Sequence, residues 1–318
     1  MHVAAALGIS DALAEGPRTV ADLAGAVGAH EQSLHRLLRA LVTVGVYSRD
    51  EQGRFANTPL GDALRSDAPR SLAGWAGLIG RPYYFQAWAG LLDAIRTGDN
   101  AFTAVHGESI WAYRGTRPDE LAIFDRAMTA LSGVVADAVA TAYDFTPFTT
   151  VVDVGGGHGG LLATILTRYP TLRGVLFDQP DVITAATALL DRVEVTDRCQ
   201  LVGGDFFHTI PTIAPDTPTA VILKAIIHDW PDRESIAILS TCHHAMAGTG
   251  TLLLVEQLLD EGDDLSRTAF SDLNMLVAPG GQERTLPEYR TLLAHAGFHL
   301  NTTTPTGNDV FILEATPT

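Results

Sequence analysis

The sequence predicts an α/β protein in which an α-helical winged-helix region precedes a largely parallel β-sheet wrapped by helices. Two observations carry this prediction. Before about residue 150 alanine and leucine recur at helical spacing, and after it short apolar strands alternate with helical stretches. We therefore expect a winged-helix domain at residues 1–70, a helical linker region at 71–145 and a sheet domain at 146–318.

The first domain opens with two short helices. A threonine cap begins the stretch Thr19–Val27, whose apolar residues fall on one face, and the stretch His30–Val46 carries a second apolar stripe. The members of that stripe are Leu34, Leu37, Leu38, Leu41 and Val44. Two extended runs joined at a polar turn containing Gly53 follow, so the order helix, helix, hairpin favours a winged helix over a generic helical bundle.

The second region, from Ser71 to Tyr143, keeps the helical spacing and becomes rich in aromatic residues. These are Trp75, Tyr83, Tyr84, Phe85, Trp88, Phe102, Trp111, Tyr113 and Phe124. Aromatic residues at helical spacing usually pack in a core, so we expect most of them to be buried. A minority could line a pocket for a flat ligand.

The third region contains apolar runs separated by helical stretches, which is typical of a parallel sheet. We predict strands at Thr150–Val154, Gly174–Phe177, Gln200–Val202, Ala220–Ile227 and Thr251–Val255. Two further extended runs, around His299–Thr303 and Val310–Glu314, are joined by a turn at Gly307-Asn308. This last pair predicts an antiparallel edge on the parallel sheet.

The composition is that of an ordinary globular protein, with 46% hydrophobic and 18% charged residues among 318. No apolar run approaches the roughly 20 residues that cross a bilayer, and the first residues lack the features of a signal peptide, so we expect a cytoplasmic protein without a membrane partner. The net charge of −16 would repel a phosphate backbone, so we expect no nucleic-acid partner. Cys199 and Cys242 form no Cys-x-x-Cys pattern, so neither a disulfide framework nor a thiolate zinc site is predicted.

Polar and glycine residues follow the predicted parallel strands at one edge of the sheet, where open α/β sheets bind their ligands. In chain order they are the run Gly155–Gly160, Asp178, Asp205, the pair His228-Asp229, and Glu256. The glycine run follows a strand and precedes a helix, so its backbone can approach a ligand closely and offer helix amides to a negative group. Asp178 follows the glycine run at about the sequence spacing expected of an acidic residue that binds ribose hydroxyls. The motif therefore predicts a nucleotide-like ligand and leaves a nicotinamide and an adenosyl cofactor both open.

Motifs spread along the chain resemble those of small-molecule O-methyltransferases of the plant caffeate and bacterial natural-product type. In the sheet domain they are Val152-Asp-Val-Gly-Gly-Gly, Gly204-Asp-Phe-Phe, Leu223-Lys-Ala-Ile-Ile-His-Asp-Trp and Gly280-Gly-Gln-Glu-Arg-Thr. Upstream they are Gly107-Glu-Ser-Ile-Trp-Ala-Tyr, Phe124-Asp-Arg-Ala-Met and Val3-Ala-Ala-Ala-Leu-Gly-Ile. The resemblance implies a Rossmann-like class I methyltransferase domain, S-adenosyl-L-methionine as cofactor, and methyl transfer to a hydroxyl of an aromatic small molecule such as a bacterial natural product.

The resemblance also implies which residues bind the cofactor. It places the methionine part at the glycine turn, the ribose at the aspartate after the second parallel strand, and the adenine near the Asp-Phe pair after the third. The residues concerned are Gly155, Gly157, Asp178, Asp205, Phe206 and Lys224. Lys224, the only lysine in the sequence, falls where the family has a cofactor-contacting lysine, although an exposed, solvated lysine is the alternative.

For catalysis the resemblance implies that His228 is the base. A phenol with a pKa near 10 is mostly protonated at neutral pH, whereas an imidazole with a pKa near 6.5 is free to accept its proton. The family has two glutamates around this histidine, matched here by Glu256 and Glu283, and an acceptor for the second ring nitrogen would stabilise the imidazolium. No cluster of carboxylates and asparagine accompanies the base in the sequence, so we expect no metal.

For the substrate pocket the resemblance nominates Phe124, Met128, Asp229, Trp230, Asn274 and Met275. Phe124 and Met128 are four residues apart, so packing on one helical face explains them almost equally well. Family members usually carry a longer amino-terminal segment that embraces a partner subunit. In this sequence Met1 lies two positions before the Val3-Ala-Ala-Ala-Leu-Gly motif, so we still expect a homodimer but leave the usual extent of its interface open.

Three alternatives differ in class or reaction. A winged-helix transcription factor is disfavoured because residues 1–70 carry seven arginines against eight acidic residues, too few bases to bind phosphates. A nicotinamide oxidoreductase explains the glycines and Asp178 and leaves Lys224 and His228 without a role. A family member that has drifted to decarboxylation or hydroxylation stays open, although the retained glutamate pair argues against it.

Overall fold

The computed structural model describes residues 1–68, 71–259, 266–307 and 309–318. The chain forms two compact units, one made of residues 1–86 and 114–131 and the other of residues 87–113 and 132–318. Two sequence predictions fall partly outside the described residues: the turn at Gly307-Asn308 includes Asn308, and the first domain boundary includes Arg70.

Helices occupy most of the chain before residue 143 and alternate with strands after it. The helices are α1 (His2–Ala6), α2 (Ile9–Ala12), α3 (Val20–Val27), α4 (Glu31–Thr43), α5 (Pro59–Asp62), α6 (Ala73–Ile79), α7 (Pro82–Ala89), α8 (Leu91–Thr97), α9 (Ala101–His106), α10 (Ile110–Gly115), α11 (Pro118–Ala142), α12 (Gly160–Arg168), α13 (Pro180–Arg192), α14 (Asp232–Met246), α15 (Ser266–Val277) and α16 (Leu286–His295). The strands are β1 (Tyr47–Arg49), β2 (Phe55–Asn57), β3 (Thr150–Val154), β4 (Arg173–Asp178), β5 (Cys199–Gly203), β6 (Thr219–Lys224), β7 (Thr251–Gln257), β8 (Phe298–Pro305) and β9 (Val310–Pro317). Short 3-10 turns lie at Thr196–Arg198 and Ile227–Asp229.

The first unit contains the predicted helix, helix and hairpin. Thr19 caps α3 by accepting a hydrogen bond from the Asp22 amide at 3.2 Å, and β1 pairs with β2 antiparallel around a turn in which Gly53 has φ +80°. Helix α4 buries Leu34, Leu38 and Leu41 of the predicted stripe and partly buries Leu37, but Val44 is 63% exposed. The reason is that α4 ends at Thr43, one residue before Val44.

The second unit is built on a seven-stranded sheet in the order β5-β4-β3-β6-β7-β9-β8. Strands β5, β4, β3, β6 and β7 are parallel, whereas β9 is antiparallel to both β7 and β8. The predicted Rossmann-like sheet with an antiparallel carboxy-terminal edge is therefore confirmed.

Two hydrophobic cores cover the two faces of this sheet, because successive residues of a strand point to opposite sides. Val151 of β3 packs with α12 residues such as Leu162 in one core, while the next residue, Val152, packs with α14 residues such as Leu239 in the other. Burial on both faces explains why these strands are continuous apolar runs. Within the described ranges, no helix is both long and apolar enough to cross a membrane.

Strand β6 differs from its prediction. The apolar run Ala220–Ile227 predicts a strand along its whole length, but β6 ends at Lys224. Ala225 takes the left-handed conformation with φ +52°, and Ile227–Asp229 form a 3-10 turn. His228 thus lies on a turn after the strand rather than at the strand end.

Candidate active site

The glycine turn after β3 brings bare backbone to the carboxyl edge of the sheet. Gly155, Gly157 and Gly159 all have positive φ, and the Gly155 amide donates to the Phe177 carbonyl at 2.8 Å. A Cβ at Gly155 would lie 2.5 Å from Cδ1 of Ile226, which would have to move, and the φ of +70° would strain any other residue at this position. Helix α12 begins directly after this turn, and its first amides face the same edge.

Asp178, the last residue of β4, is fixed beside this turn. One of its carboxylate oxygens accepts from the Gly157 amide at 2.8 Å and the other from the Gln179 amide at 2.7 Å. Burial raises the pKa of Asp178, and these two hydrogen bonds oppose that shift. Because each carboxylate oxygen has a further lone pair, Asp178 can also accept from a pair of vicinal hydroxyls.

Asp205 and Phe206 follow β5 at the same edge. Asp205 accepts from the Phe207 amide at 2.9 Å and contacts Nδ1 of His208 at 3.0 Å. The Asp205 carboxylate is therefore held by contacts with residues two and three positions further along the chain. The Phe206 ring packs against Phe207 and against Trp230, with centroid distances of 5.1 and 6.2 Å.

Lys224 ends β6, and its Nζ donates to Ser132 Oγ at 3.1 Å. Burial lowers the pKa of Lys224, whereas the charges of Asp153 and Glu256 raise it. Lys224 is half-buried at the carboxyl end of its strand, which disagrees with the alternative of an exposed lysine.

Asp153 of β3 is a residue of this region that our sequence reasoning missed. Its side chain is buried, and among the described residues neither carboxylate oxygen has a hydrogen-bond partner. Burial raises the pKa of Asp153 to about 7, against the opposing charge of Lys224. The available signal was a charged residue inside an otherwise apolar strand, two residues before Gly155.

His228 lies between three carboxylates. Its Nδ1 is 3.0 Å from Glu283 Oε1 and 3.9 Å from Glu256 Oε2, and its Nε2 is 3.7 Å from Asp229 Oδ1. Burial favours the neutral ring, but the charges of Glu256, Asp229 and Glu283 outweigh it and raise the pKa of His228 to about 10. The pKa of His228 therefore lies well above the ordinary imidazole value near 6.5, and the cause is the negative charge of these three carboxylates.

Glu256 and Glu283 contact His228 in different ways. Glu256 Oε1 accepts from the backbone amides of Ile226 and Ile227 at 3.1 and 2.8 Å, so this glutamate mainly holds the turn that carries the histidine. Burial raises the pKa of Glu256 to about 7. Glu283 Oε1 accepts the hydrogen bond from the imidazole and a second one from Ser271 Oγ at 2.6 Å.

Helix α15 orients Glu283. Ser271 holds its carboxylate, and Asp272 Oδ1 accepts from the Glu283 amide at 2.9 Å. The same helix carries Asn274 and Met275, and Met275 is buried. The residues that hold Glu283 and two of the predicted substrate-contacting residues thus belong to one helix.

Trp230 forms an aromatic cluster with Trp111, Phe206 and Phe207. The Trp111 and Trp230 rings are stacked with centroids 5.8 Å apart, and Phe207 meets Trp230 edge-on at 4.7 Å. Trp111 was not among the predicted site residues, although it lies in the Gly107-Glu-Ser-Ile-Trp motif. The cluster connects the predicted adenine position at Phe206 with the turn that carries His228.

The structure brings together the predicted residues of the sheet edge, all in the second unit. Phe124 and Met128 lie on α11 within the first unit, where the Arg114 guanidinium covers the Phe124 ring at 4.0 Å. Their role in a substrate pocket stays a prediction. Across the described part of the chain, no group of three or more His, Cys, Asp or Glu side chains is arranged to hold a metal ion.

Comparison with known families gives two matches that together span most of the chain. Residues 88–299 match the model of an O-methyltransferase domain, and residues 1–67 match that of an O-methyltransferase dimerisation domain. A phenazine O-methyltransferase of Lysobacter antibioticus is 42% identical over 317 residues, which are 100% of this chain and 92% of the relative.

Two further similarities concern a relative and a solved structure. A mitomycin biosynthesis 6-O-methyltransferase of Streptomyces lavendulae is 40% identical over 96% of this chain and 87% of the relative. An O-methyltransferase from neocarzinostatin biosynthesis, solved with S-adenosylmethionine and 2-hydroxy-5-methyl naphthoic acid, has a TM-score of 0.85 and 35% identity over 100% of this chain and 94% of that chain.

Proposed function

This chain belongs to the O-methyltransferase family, and we propose that it methylates a hydroxyl group of an aromatic small molecule, with His228 as the base. Membership makes it an S-adenosylmethionine-dependent enzyme that carries the family's dimerisation domain and works as a homodimer. The aromatic substrate follows from the relatives, whose names specify phenazine and mitomycin biosynthesis, and from the naphthoic acid bound in the neocarzinostatin enzyme. We also propose a cytoplasmic location, because the relatives act in the biosynthesis of small molecules.

The carboxyl edge of the sheet fits S-adenosylmethionine. The bare backbone of Gly155 and Gly157 would lie along its methionine part, the Asp178 carboxylate would accept from its ribose hydroxyls, and Asp205 and Phe206 would border its adenine. When bound, the cofactor supplies an electrophilic methyl group on a positively charged sulfur.

The observation that carries the proposal is the 3.0 Å hydrogen bond between His228 and Glu283. An ionised carboxylate only accepts hydrogen bonds, so Nδ1 carries the shared proton and Nε2 is the nitrogen that can accept another. We assign to Nε2 the removal of the proton from the substrate hydroxyl. Glu283 and Glu256 then stabilise the imidazolium that forms.

The raised pKa of His228 shapes this chemistry. A base whose conjugate acid has a pKa of about 10 matches a phenol with a pKa near 10, so the proton is shared evenly between them. At neutral pH most of the free enzyme carries the imidazolium, and the active fraction is the neutral ring. The positive charge of a bound cofactor would favour that neutral ring.

A methyl-incorporation assay tests the proposal. Purified protein is incubated with S-adenosylmethionine labelled in its methyl group and a panel of hydroxyphenazines, hydroxynaphthoates and simple phenols. We expect label in at least one ether product, and calorimetry should show binding of S-adenosylmethionine but not of a nicotinamide dinucleotide. Binding of the cofactor with conversion of a panel compound to an unmethylated product would instead identify a drifted family member.

A further inference from the structure

Arg284 is a buried charged residue next to Glu283. Its side chain is 1% exposed, and its guanidinium Nη2 lies 2.8 Å from Asp232 Oδ1. Burying a guanidinium is costly unless its donors are satisfied, so its partners indicate what it is for. Our sequence reasoning quoted the motif that contains Arg284 and gave this residue no role.

The backbone carbonyls that accept hydrogen bonds from Arg284 lie on both sides of His228 in the chain. Its Nη1 donates to the Ile227 carbonyl at 3.1 Å, and its Nη2 donates to the Trp230 carbonyl at 2.9 Å. One of these residues precedes His228 and the other follows Asp229. The planar guanidinium therefore spans the 3-10 turn and joins both of its ends to Asp232, the first residue of α14.

The residues before Arg284 contact the same turn. The Gln282 amide donates to the His228 carbonyl at 2.9 Å, and the Glu283 carboxylate accepts from the His228 ring. A Cβ at Gly281 would overlap the His228 carbonyl oxygen, so the absence of a side chain lets this segment approach closely. Residues 281–284, which we name the clamp segment, thus contact the backbone, the ring and both flanks of the base.

We propose that Arg284 is a positioning residue that fixes the 227–230 turn so that His228 faces the reacting hydroxyl while bonded to Glu283. This inference rests on the proposed function, because it assumes that His228 is the base. A purely structural arginine would satisfy carbonyls anywhere in the fold. Arg284 satisfies the two carbonyls that set the orientation of one short turn, and the turn carries the residue whose alignment matters most.

The test is Arg284→Met, with Arg284→Lys as a conservative variant that keeps the charge and loses the planar fork. We expect kcat to fall by about 10²-fold in Arg284→Met and by less in Arg284→Lys, since misplacing a catalytic group by about 1 Å costs roughly that factor. The Kd for S-adenosylmethionine should stay within about twofold, because the glycine turn and Asp178 are untouched.

A second readout distinguishes positioning from folding. The NMR titration of the His228 ring should move to lower pH in Arg284→Met, because a displaced ring loses its contact with Glu283. The matched control is Arg198→Met. Arg198 also donates to backbone carbonyls, those of Leu166 and Leu172 at 2.8 and 2.9 Å, and these two residues belong to a different hydrophobic core from Ile227. This control should lose stability, leave the His228 titration unchanged and keep kcat within about twofold.

The outcomes separate the two proposals. If a folded Arg284→Met retains kcat and the His228 titration while His228→Ala is inactive, the positioning role is wrong and the base assignment stands. If His228→Ala is active at neutral pH, the base assignment fails first. Should Arg284→Met not fold, Asp232→Ala removes the exposed acceptor that anchors Arg284, and an unchanged kcat and titration in that variant also contradict the positioning role.

Discussion

His228 and Glu283 are joined by a 3.0 Å hydrogen bond from the imidazole Nδ1 to Oε1, although 54 residues separate them in the chain. Ser271 donates to the same oxygen at 2.6 Å, so Glu283 is fixed from two directions. In the proposed mechanism this bond leaves Nε2 as the ring nitrogen that accepts the proton, so we expect substitutions on either side of the pair to lower the activity.

Replacing the base tests this assignment directly. In His228→Ala we expect turnover at neutral pH to fall by about 10²–10⁴-fold, the usual share of a positioned general base, with little change in cofactor affinity. The residual rate should recover as the pH approaches the pKa of the phenol itself, which then ionises without help. His299→Ala, at an exposed position of β8, is the control. Near-normal turnover of His228→Ala at pH 7 would show that His228 is not the base.

The pH dependence follows from the raised pKa of His228. Below about pH 10 the neutral ring is the minor form, so kcat/KM with a simple phenol should rise about tenfold per pH unit above pH 7. Glu256, Asp229 and Glu283 are the charged groups that face this ring. Removing one charge in Glu283→Gln should move the rising limb toward lower pH, and a wild-type plateau reached at pH 7 would contradict the raised pKa.

Asp153 predicts a pH dependence of stability with the opposite sense to a normal carboxylate. Its folded pKa, about 7, lies above the unfolded value near 3.9, so between these pH values the folded state binds more protons than the unfolded state. The free energy of unfolding should therefore decrease as the pH rises from about 4 to 7. Chemical denaturation of wild type and Asp153→Asn across this range checks the sign: the slope should be shallower in the variant, and equal slopes would refute it.

Gly281→Ala should damage the active site without touching any catalytic side chain. A Cβ there would overlap the His228 carbonyl oxygen, so the backbone of the clamp segment or the turn must shift. Overpacking of this kind costs about 1–3 kcal/mol of stability, and kcat should fall as well. Gly133→Ala is the control, since its Cβ would meet no atom within 4 Å. Equal stability and turnover in the two variants would show that the clamp segment is not tightly packed.

Methyl transfer should be independent of divalent metal. In Glu256 and Glu283 one carboxylate oxygen already accepts two hydrogen bonds. Across the described residues no group of three or more His, Cys, Asp or Glu side chains is arranged to hold a metal ion. Activity after treatment with a chelator should equal that of untreated protein. Loss of activity that magnesium restores would overturn this prediction.

The sequence predicts the sheet well because its strands are buried on both faces and read as uninterrupted apolar runs. The same rule fails at Ala225-Ile-Ile, where the apolar run continues but the strand does not. The chain leaves the sheet there because Glu256 of the neighbouring strand accepts from the amides of Ile226 and Ile227. A contact between residues 30 positions apart has no signature in local periodicity.

The candidate site shows the same limit. The positions of Gly155 and Asp178 follow from a local strand–turn–helix motif, so their juxtaposition is predictable. The different contacts of Glu256 and Glu283 are not predictable from the sequence. They depend on which carboxylate the folded chain places against the His228 ring and which against the backbone amides. The high pKa of His228 was missed for the same reason, since it arises from three charges that only the fold assembles.

Helix α15 carries Ser271 and Asp272, which hold Glu283, and it also carries Asn274 and Met275, which we predict to face the substrate. We therefore expect the choice of acceptor and the removal of its proton to depend on the same helix. A variant of this enzyme can exchange Asn274 and Met275 for other side chains, but moving the helix to admit a larger molecule would also displace Ser271 and Asp272 and so turn Glu283. Expansion of its chemical repertoire should proceed by changes of side-chain volume at a fixed backbone, and laboratory evolution toward bulkier acceptors should select substitutions at these two positions before any insertion in the helix.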